Sequence, residues 1–214
     1  MMNKIRMLTI LCAVFLVLGM VSSACALPYS FYKITDNGNT NVASQLSANV
    51  FTGAGIYAGQ VGFTFSNAGP IGSSITDIYF DDGTLLALAS IVNGAGTLFA
   101  SPATPGDLPG GNLASPPFVT TDAFSADSSA PDVMLNGVNP GESVTIYFTL
   151  QNTKTYADTI AALANGSLRM GLHVQAIGTT GGSDSYVNLV PEPYTLLLLG
   201  LGLVGVAGVR RFRK

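Results

Sequence analysis

The sequence predicts a mainly β protein: a single antiparallel β-sandwich, immunoglobulin- or jelly-roll-like, with one short helix. Three observations carry this. Residues 60–66, 143–150 and 167–177 alternate apolar and polar side chains with the period of a half-buried strand. Clusters of Gly, Pro and Asn punctuate the chain between such runs. Only one stretch has both the start and the stop signal of a helix. The alternation also implies one wet face per sheet, which antiparallel sheets permit.

Residues 29–41 open the folded part, with Asp36-Asn37-Gly38-Asn39 as a turn signal. Residues 42–52 place Leu46, Ala48 and Val50 on one face. Residues 60–66 put Val61, Phe63 and Phe65 inward and Gly62, Thr64 and Ser66 outward, and Asn67-Ala68-Gly69-Pro70 ends that strand. Ile75, Ile78, Tyr79 and Phe80 mark a strand over 74–80, closed by the turn Asp81-Asp82-Gly83. Residues 85–92 form a continuous apolar run that periodicity alone cannot assign. The β-branched Ile91 and Val92 and the flanking glycines favour a strand.

Residues 93–131 change character. They hold Pro102, Pro105, Pro109, Pro116, Pro117 and Pro131 among several glycines, so only short elements fit, around 97–100 and 118–124. The plain reading is a long connection lying over the sheet; a binding loop is the alternative. Residues 143–150 turn Val144, Ile146, Phe148 and Leu150 inward and Thr145, Tyr147 and Thr149 outward. Thr155 reads as an N-cap with Asp158 as its capping-box partner, opening a helix over 157–164 that Asn165-Gly166 stops. Residues 167–177 set Leu168, Met170, Leu172, Val174 and Ala176 on one face and Arg169, His173 and Gln175 on the other. Residues 186–189 complete the strands.

The ends are of another kind. Residues 1–26 have the three parts of a secretory signal peptide: positive Lys4 and Arg6, the apolar run 7–21, and small residues Ala24 and Ala26 before a cleavage at Leu27. The run is short for a membrane span. Acylation of Cys25 is the alternative, but Ser22 stands where such a signal wants a larger aliphatic residue. At the other end, residues 194–209 are an apolar run followed by Arg210, Arg211, Arg213 and Lys214. As a helix of 16 residues it spans about 24 Å. Snorkelling basic residues extend that toward a roughly 30 Å hydrocarbon core. This predicts a C-terminal transmembrane helix whose basic end stays cytoplasmic, with the folded part on the far side. The domains are therefore signal peptide 1–26, ectodomain 27–189 and tail 190–214.

The net charge of −3 hides a division. Six of the nine basic residues lie in the two ends, leaving Lys33, Lys154 and Arg169 against eleven acids in the body, a net of −8. Such a surface suits solubility and disfavours nucleic acid. Both cysteines, Cys12 and Cys25, fall in the leader, so the body has no thiolate nucleophile or disulfide. His173 is the single histidine, and no Gly-x-Ser-x-Gly elbow is present, so a hydrolase would have to rest on His173 alone. Nothing in the spacing selects a pair of glycosidase carboxylates. These counts predict no enzyme and no required cofactor. Calcium is the metal the inventory admits, through Asp77, Asp81 and Asp82, with Asp36, Asn37 and Asn39 as a second oxygen-rich group. Neither matches an EF-hand loop, and turn formation explains both without metal.

Val190-Pro191-Glu192-Pro193, then Thr195, a leucine-rich run, glycines and Arg210-Arg211, resembles the PEP-CTERM sorting signal of bacterial surface proteins. The motif (190–193), the helix (194–209) and the basic end (210–214) stand in order. The resemblance implies recognition of Pro191, Glu192 and Pro193 by a membrane-embedded exosortase, cleavage near them, and delivery to the cell surface or extracellular polymeric matrix. The body, through Ser74-Ile75-Thr76-Asp77-Ile78-Tyr79-Phe80 and Leu168-Arg169-Met170-Gly171-Leu172-His173, resembles domains of exosortase-dependent surface proteins, which imply no activity. The expected function is thus an exported surface or biofilm-matrix protein with a structural or interaction role. Its partners are signal peptidase, exosortase and, before processing, the membrane. The alternative is a polysaccharide-binding module, calcium-assisted or not; a surface hydrolase comes last.

Overall fold

The computed structural model describes residues 28–121 and 125–190. The expected signal peptide with Ala24, Ala26 and Leu27, the motif Pro191-Glu192-Pro193, the apolar run expected to span the membrane and the basic residues Arg210, Arg211, Arg213 and Lys214 lie outside the described residues. Among the described residues no helix is long and apolar enough to cross a membrane.

The strands are β1 (Pro28–Lys33), β2 (Leu46–Thr52), β3 (Val61–Asn67), β4 (Ser74–Asp81), β5 (Leu86–Asn93), β6 (Phe99–Ala100), β7 (Ser125–Ser128), β8 (Ser143–Leu150), β9 (Arg169–Ile177) and β10 (Gly182–Asn188). The helices are α1 (Val133–Asn136) and α2 (Tyr156–Asn165). The alternating runs become strands, and the ambiguous run becomes β5. The helix forms as expected: Thr155 N donates to Asp158 Oδ2 (2.7 Å), Asp158 N returns to Thr155 Oγ1 (3.4 Å), and Gly166 closes the helix at φ 78°.

The expected two-sheet sandwich is corrected. All ten strands belong to one open, curled antiparallel sheet, ordered β5-β8-β3-β2-β1-β10-β9-β4-β7-β6. β1 is the stitch: Pro28–Ser30 pair with β2, while Phe31–Lys33 pair with β10. The two halves fold over one core because each has an apolar face to bury. Phe80 of β4 meets Phe63 and Phe148 of the other half edge-on, with ring centroids 5.2 and 4.8 Å apart. At the far ends of the sheet, Asn93 receives Phe99 N on Oδ1 (2.7 Å) and donates Nδ2 to Phe99 O (3.3 Å), so a side chain joins the two edge strands.

The expectation of one wet face per sheet holds for one half only. Residues 101–121 lie over the outer face of β4, β9 and β10 as a strap, and Ala103, Leu108, Ala114 and Phe118 form a second small core with Tyr79 and Val187. Gly171 makes room for it: a Cβ there would sit 2.8 Å from Leu108 and 3.0 Å from Phe118. Arg169 pins the strap by donating to Pro116 O and Pro117 O, pairs with Asp81, and lies over the Phe118 ring at 5.3 Å. Of the short element expected over 118–124, residues 122–124 lie outside the described residues; β7 follows at Ser125–Ser128, paired with β4.

Two register shifts correct the facing of residues. Between Ile75 and Asp77, β4 carries one residue more than β9, so Ile75, Ile78 and Phe80 all reach the core although their spacing breaks period two. In β9 an extra residue before Ile177, with Ala176 at φ 52°, turns Ile177 inward in place of the expected Ala176.

Candidate functional site

The tail leaves the body from an interior strand. β10 runs between β1 and β9. Asn188 Oδ1 accepts Met170 N at 2.6 Å, and Leu189 N donates to Ser30 O at 2.8 Å. Then the chain surfaces: Leu189 is 49% and Val190 38% exposed. Val190 rests against the α2 cap, where a Cβ on Gly166 would lie 3.3 Å from it. Beside this exit is a cleft of about 600 Å³, lined by Tyr32, Ser115, Pro116, Gly166, Arg169 and Val190 among others. Up to Leu189 the backbone is hydrogen-bonded into the sheet.

The expected calcium ligands are not brought together, and among the described residues no group of His, Cys, Asp and Glu is arranged to hold a metal ion. Asp77 and Asp81 are four residues apart on one strand, roughly 13 Å along it. Asp77 is buried against His173, and Asp81 pairs with Arg169. Asp82 closes its turn by accepting Leu86 N on Oδ2 (2.6 Å); its Oδ1 is buried without a hydrogen bond, and burial raises its pKa. The second oxygen-rich group surrounds a residue the sequence did not single out. Asp184 accepts Thr35 Oγ1 (2.8 Å) and Asn37 N (3.1 Å) on Oδ1 and Asn39 Nδ2 (3.0 Å) on Oδ2.

His173 is a hydrogen-bonded histidine in a row of polar groups under the strap. Asp127 of β7 stands opposite Asp77 of β4, Asp77 opposite His173 of β9, and His173 opposite Ser185 of β10. Directly paired side chains share a face. Asp77 Oδ2 accepts Thr76 Oγ1 (2.8 Å) and lies 2.8 Å from His173 Nδ1. The Asp127 carboxyl is pushed up to about 6, first by burial and then by the Asp77 charge, against the Thr104 backbone and His173. Burial, aided by Asp77 and Asp127, also raises the Tyr79 phenol, whose hydroxyl donates to Pro105 O at 2.9 Å. The histidine–carboxylate half of a catalytic triad is thus formed. Ser185 Oγ, on the strand position across from His173, is buried and makes no hydrogen bond, so Ser185 does not hydrogen-bond to the histidine.

Against known proteins, residues 189–214 match the family model described as the PEP-CTERM protein-sorting motif. The match begins at Leu189, the last described residue whose backbone bonds to a strand. The motif implies export, processing by exosortase, and a surface or extracellular destination. No curated protein and no solved structure matches the chain.

Proposed function

We propose that this chain is an exported surface protein whose sorting tail delivers a body with a structural or interaction role in the cell envelope or extracellular matrix. The observation that carries the reading is the coincidence at Leu189 of the last described residue bonded to a strand and the first residue of the matched motif. A folded body followed at once by a recognition segment would let the segment be bound and cut without unfolding the cargo. In this reading signal peptidase cuts before Leu27, the apolar run 194–209 holds a membrane intermediate with Arg210, Arg211, Arg213 and Lys214 on the cytoplasmic side, and exosortase acts at Pro191-Glu192-Pro193. The body's net charge of −8 supports life as a soluble domain once released.

The test replaces Pro191-Glu192-Pro193 by three alanines in the native host and follows intact mass and location. The expected result is an unprocessed protein retained in the membrane fraction, with wild type processed and surface-located. Unchanged mass and location would remove the motif from the mechanism.

A further inference from the structure

The half of the sheet that the strap leaves open differs chemically from the rest of the body. β2, β3, β5 and β8 contain no Asp, Glu, Lys or Arg, although the body as a whole is strongly acidic. Pairing register sorts the outward residues into three rows across these strands. One row is Ser47, Ser66 and Ser143; the next is Asn49, Thr64, Thr145 and Val92; the third is Phe51, Gly62, Tyr147 and Ser90. Thr64 and Thr145 hydroxyls bond to each other at 2.7 Å.

The third row is built up into an aromatic platform. The Gly55–Tyr57 turn curls back over the sheet and lays Tyr57 flat on Tyr147, with centroids 3.9 Å apart and planes 4° apart. Phe51 meets Tyr147 edge-on at 5.8 Å. Gly62 lies under both rings; a Cβ there would be 2.5 Å from Phe51 and 2.9 Å from Tyr147, so only glycine lets the rings lie down. Both Tyr57 and Tyr147 are half-buried. Ile56, beside Tyr57, is 88% exposed.

We propose that this open face binds a neutral polysaccharide, with the outer face of Tyr57 as the stacking surface, Tyr147 and Phe51 as the rings that hold it in place, and the Ser, Thr and Asn rows as the hydroxyl-bonding floor. A pyranose ring presents an apolar face of C–H bonds and an equatorial rim of hydroxyls. An aromatic surface flanked by neutral donors and acceptors satisfies both at once, as Tyr does wherever one side of a contact is apolar and the other wet. A charged polymer fits worse. The face has no cation to pair with an acidic sugar, and the surrounding negative body repels one. The floor spans four strands, so a chain of sugars can contact several rows and gain affinity by multiplicity. This binding role rests on the interaction role proposed above, but its test does not pass through the sorting tail, so either can fail alone.

The full chain in a non-glycosidic detergent is tested by affinity electrophoresis in soluble β-glucan, mannan and dextran, and by depletion on cellulose, with polygalacturonate as the anionic comparison. The expected result is binding to at least one neutral polymer, insensitive to salt, and none to polygalacturonate. Tyr57→Ala and Tyr147→Ala should each weaken binding by about ten-fold or more, and Leu135→Ala, on exposed α1 away from this face, should not. Tyr57 sits on a surface turn, so Tyr57→Ala decides the question even if Tyr147→Ala fails to fold. No binding to any of the four neutral polymers overturns the proposal, as does binding unchanged in Tyr57→Ala. Self-association by sedimentation that Tyr57→Ala abolishes, without polymer binding, would assign the face to a second copy and also overturn it.

Discussion

Replacing Asp127 by Asn should stabilise the body at neutral pH and leave it little changed in acid. Asp127 faces Asp77 across the β4–β7 pair, His173 stands beyond Asp77, and the Thr104 backbone donates to the carboxylate. Burial and the Asp77 charge lift its pKa from an ordinary 3.8 to about 6. Between those values the folded state holds a proton that the unfolded chain has released. Stability therefore falls as pH rises through that window, and is lowest from this source above about pH 6. A shift of about 2 pH units corresponds to at most ~3 kcal/mol. Asp127 is only half-buried and solvent screens it, so ~1 kcal/mol is the better expectation. Asparagine cannot ionise, and its amide can donate to Asp77. The assay is urea unfolding at constant ionic strength from about pH 4 to pH 7, read by circular dichroism and tyrosine emission, since the chain has no tryptophan. Wild type minus variant isolates this site from the other carboxylates: Asp36 and Asp158 are held low by Lys33 and Thr155 and contribute the opposite slope. Parallel stability curves for the two proteins across the window would refute the reasoning.

Two further substitutions probe the two cores. Phe80→Ala removes the ring that bridges the halves against Phe63, Phe65 and Phe148, and should cost about 3–5 kcal/mol in the same urea assay; a loss under about 1 kcal/mol would mean the halves do not share that core. Arg169→Met keeps the stem but removes the donors to Pro116, Pro117 and Asp81, and should expose the strap, read as faster proteolysis within residues 101–121 before global unfolding. An unchanged cleavage pattern would show that the apolar contacts of Leu108 and Phe118 hold the strap without it.

Much of the local structure is legible in the chain because its causes are local. Thr155, Asp158 and Gly166 specify α2 through contacts a few residues apart. Val61, Phe63 and Phe65, like Val144, Ile146 and Phe148, follow the pleat and need no partner to declare which face is apolar. Ile75, Ile78 and Phe80 are harder. Their spacing fits no regular strand, and only pairing with β9 supplies the bulge that reconciles them. Asp127, Asp77, His173 and Ser185 carry no common motif, since four strands distant in the chain bring them into one row. The Tyr57–Tyr147 stack is equally hidden: Tyr147 reads as an outward strand residue, and Tyr57 lies in a glycine-rich turn.

Linear order alone sets the destination and the building material. The sorting motif is matched on linear sequence, so Pro191-Glu192-Pro193, the apolar run and the basic end are legible in the order of residues. Charge counts, the absence of body cysteines and the strand periods are likewise properties of order and composition. Long-range packing sets how the strands close and which surface is left to act. β1 divides its two edges between β2 and β10, which turns an expected pair of sheets into one. The strap covers one outer face and leaves the uncharged, aromatic one open. Period-two alternation states that a strand has two faces; it cannot state which neighbour each edge will meet or which face another segment will cover, because those depend on contacts between residues far apart in the chain.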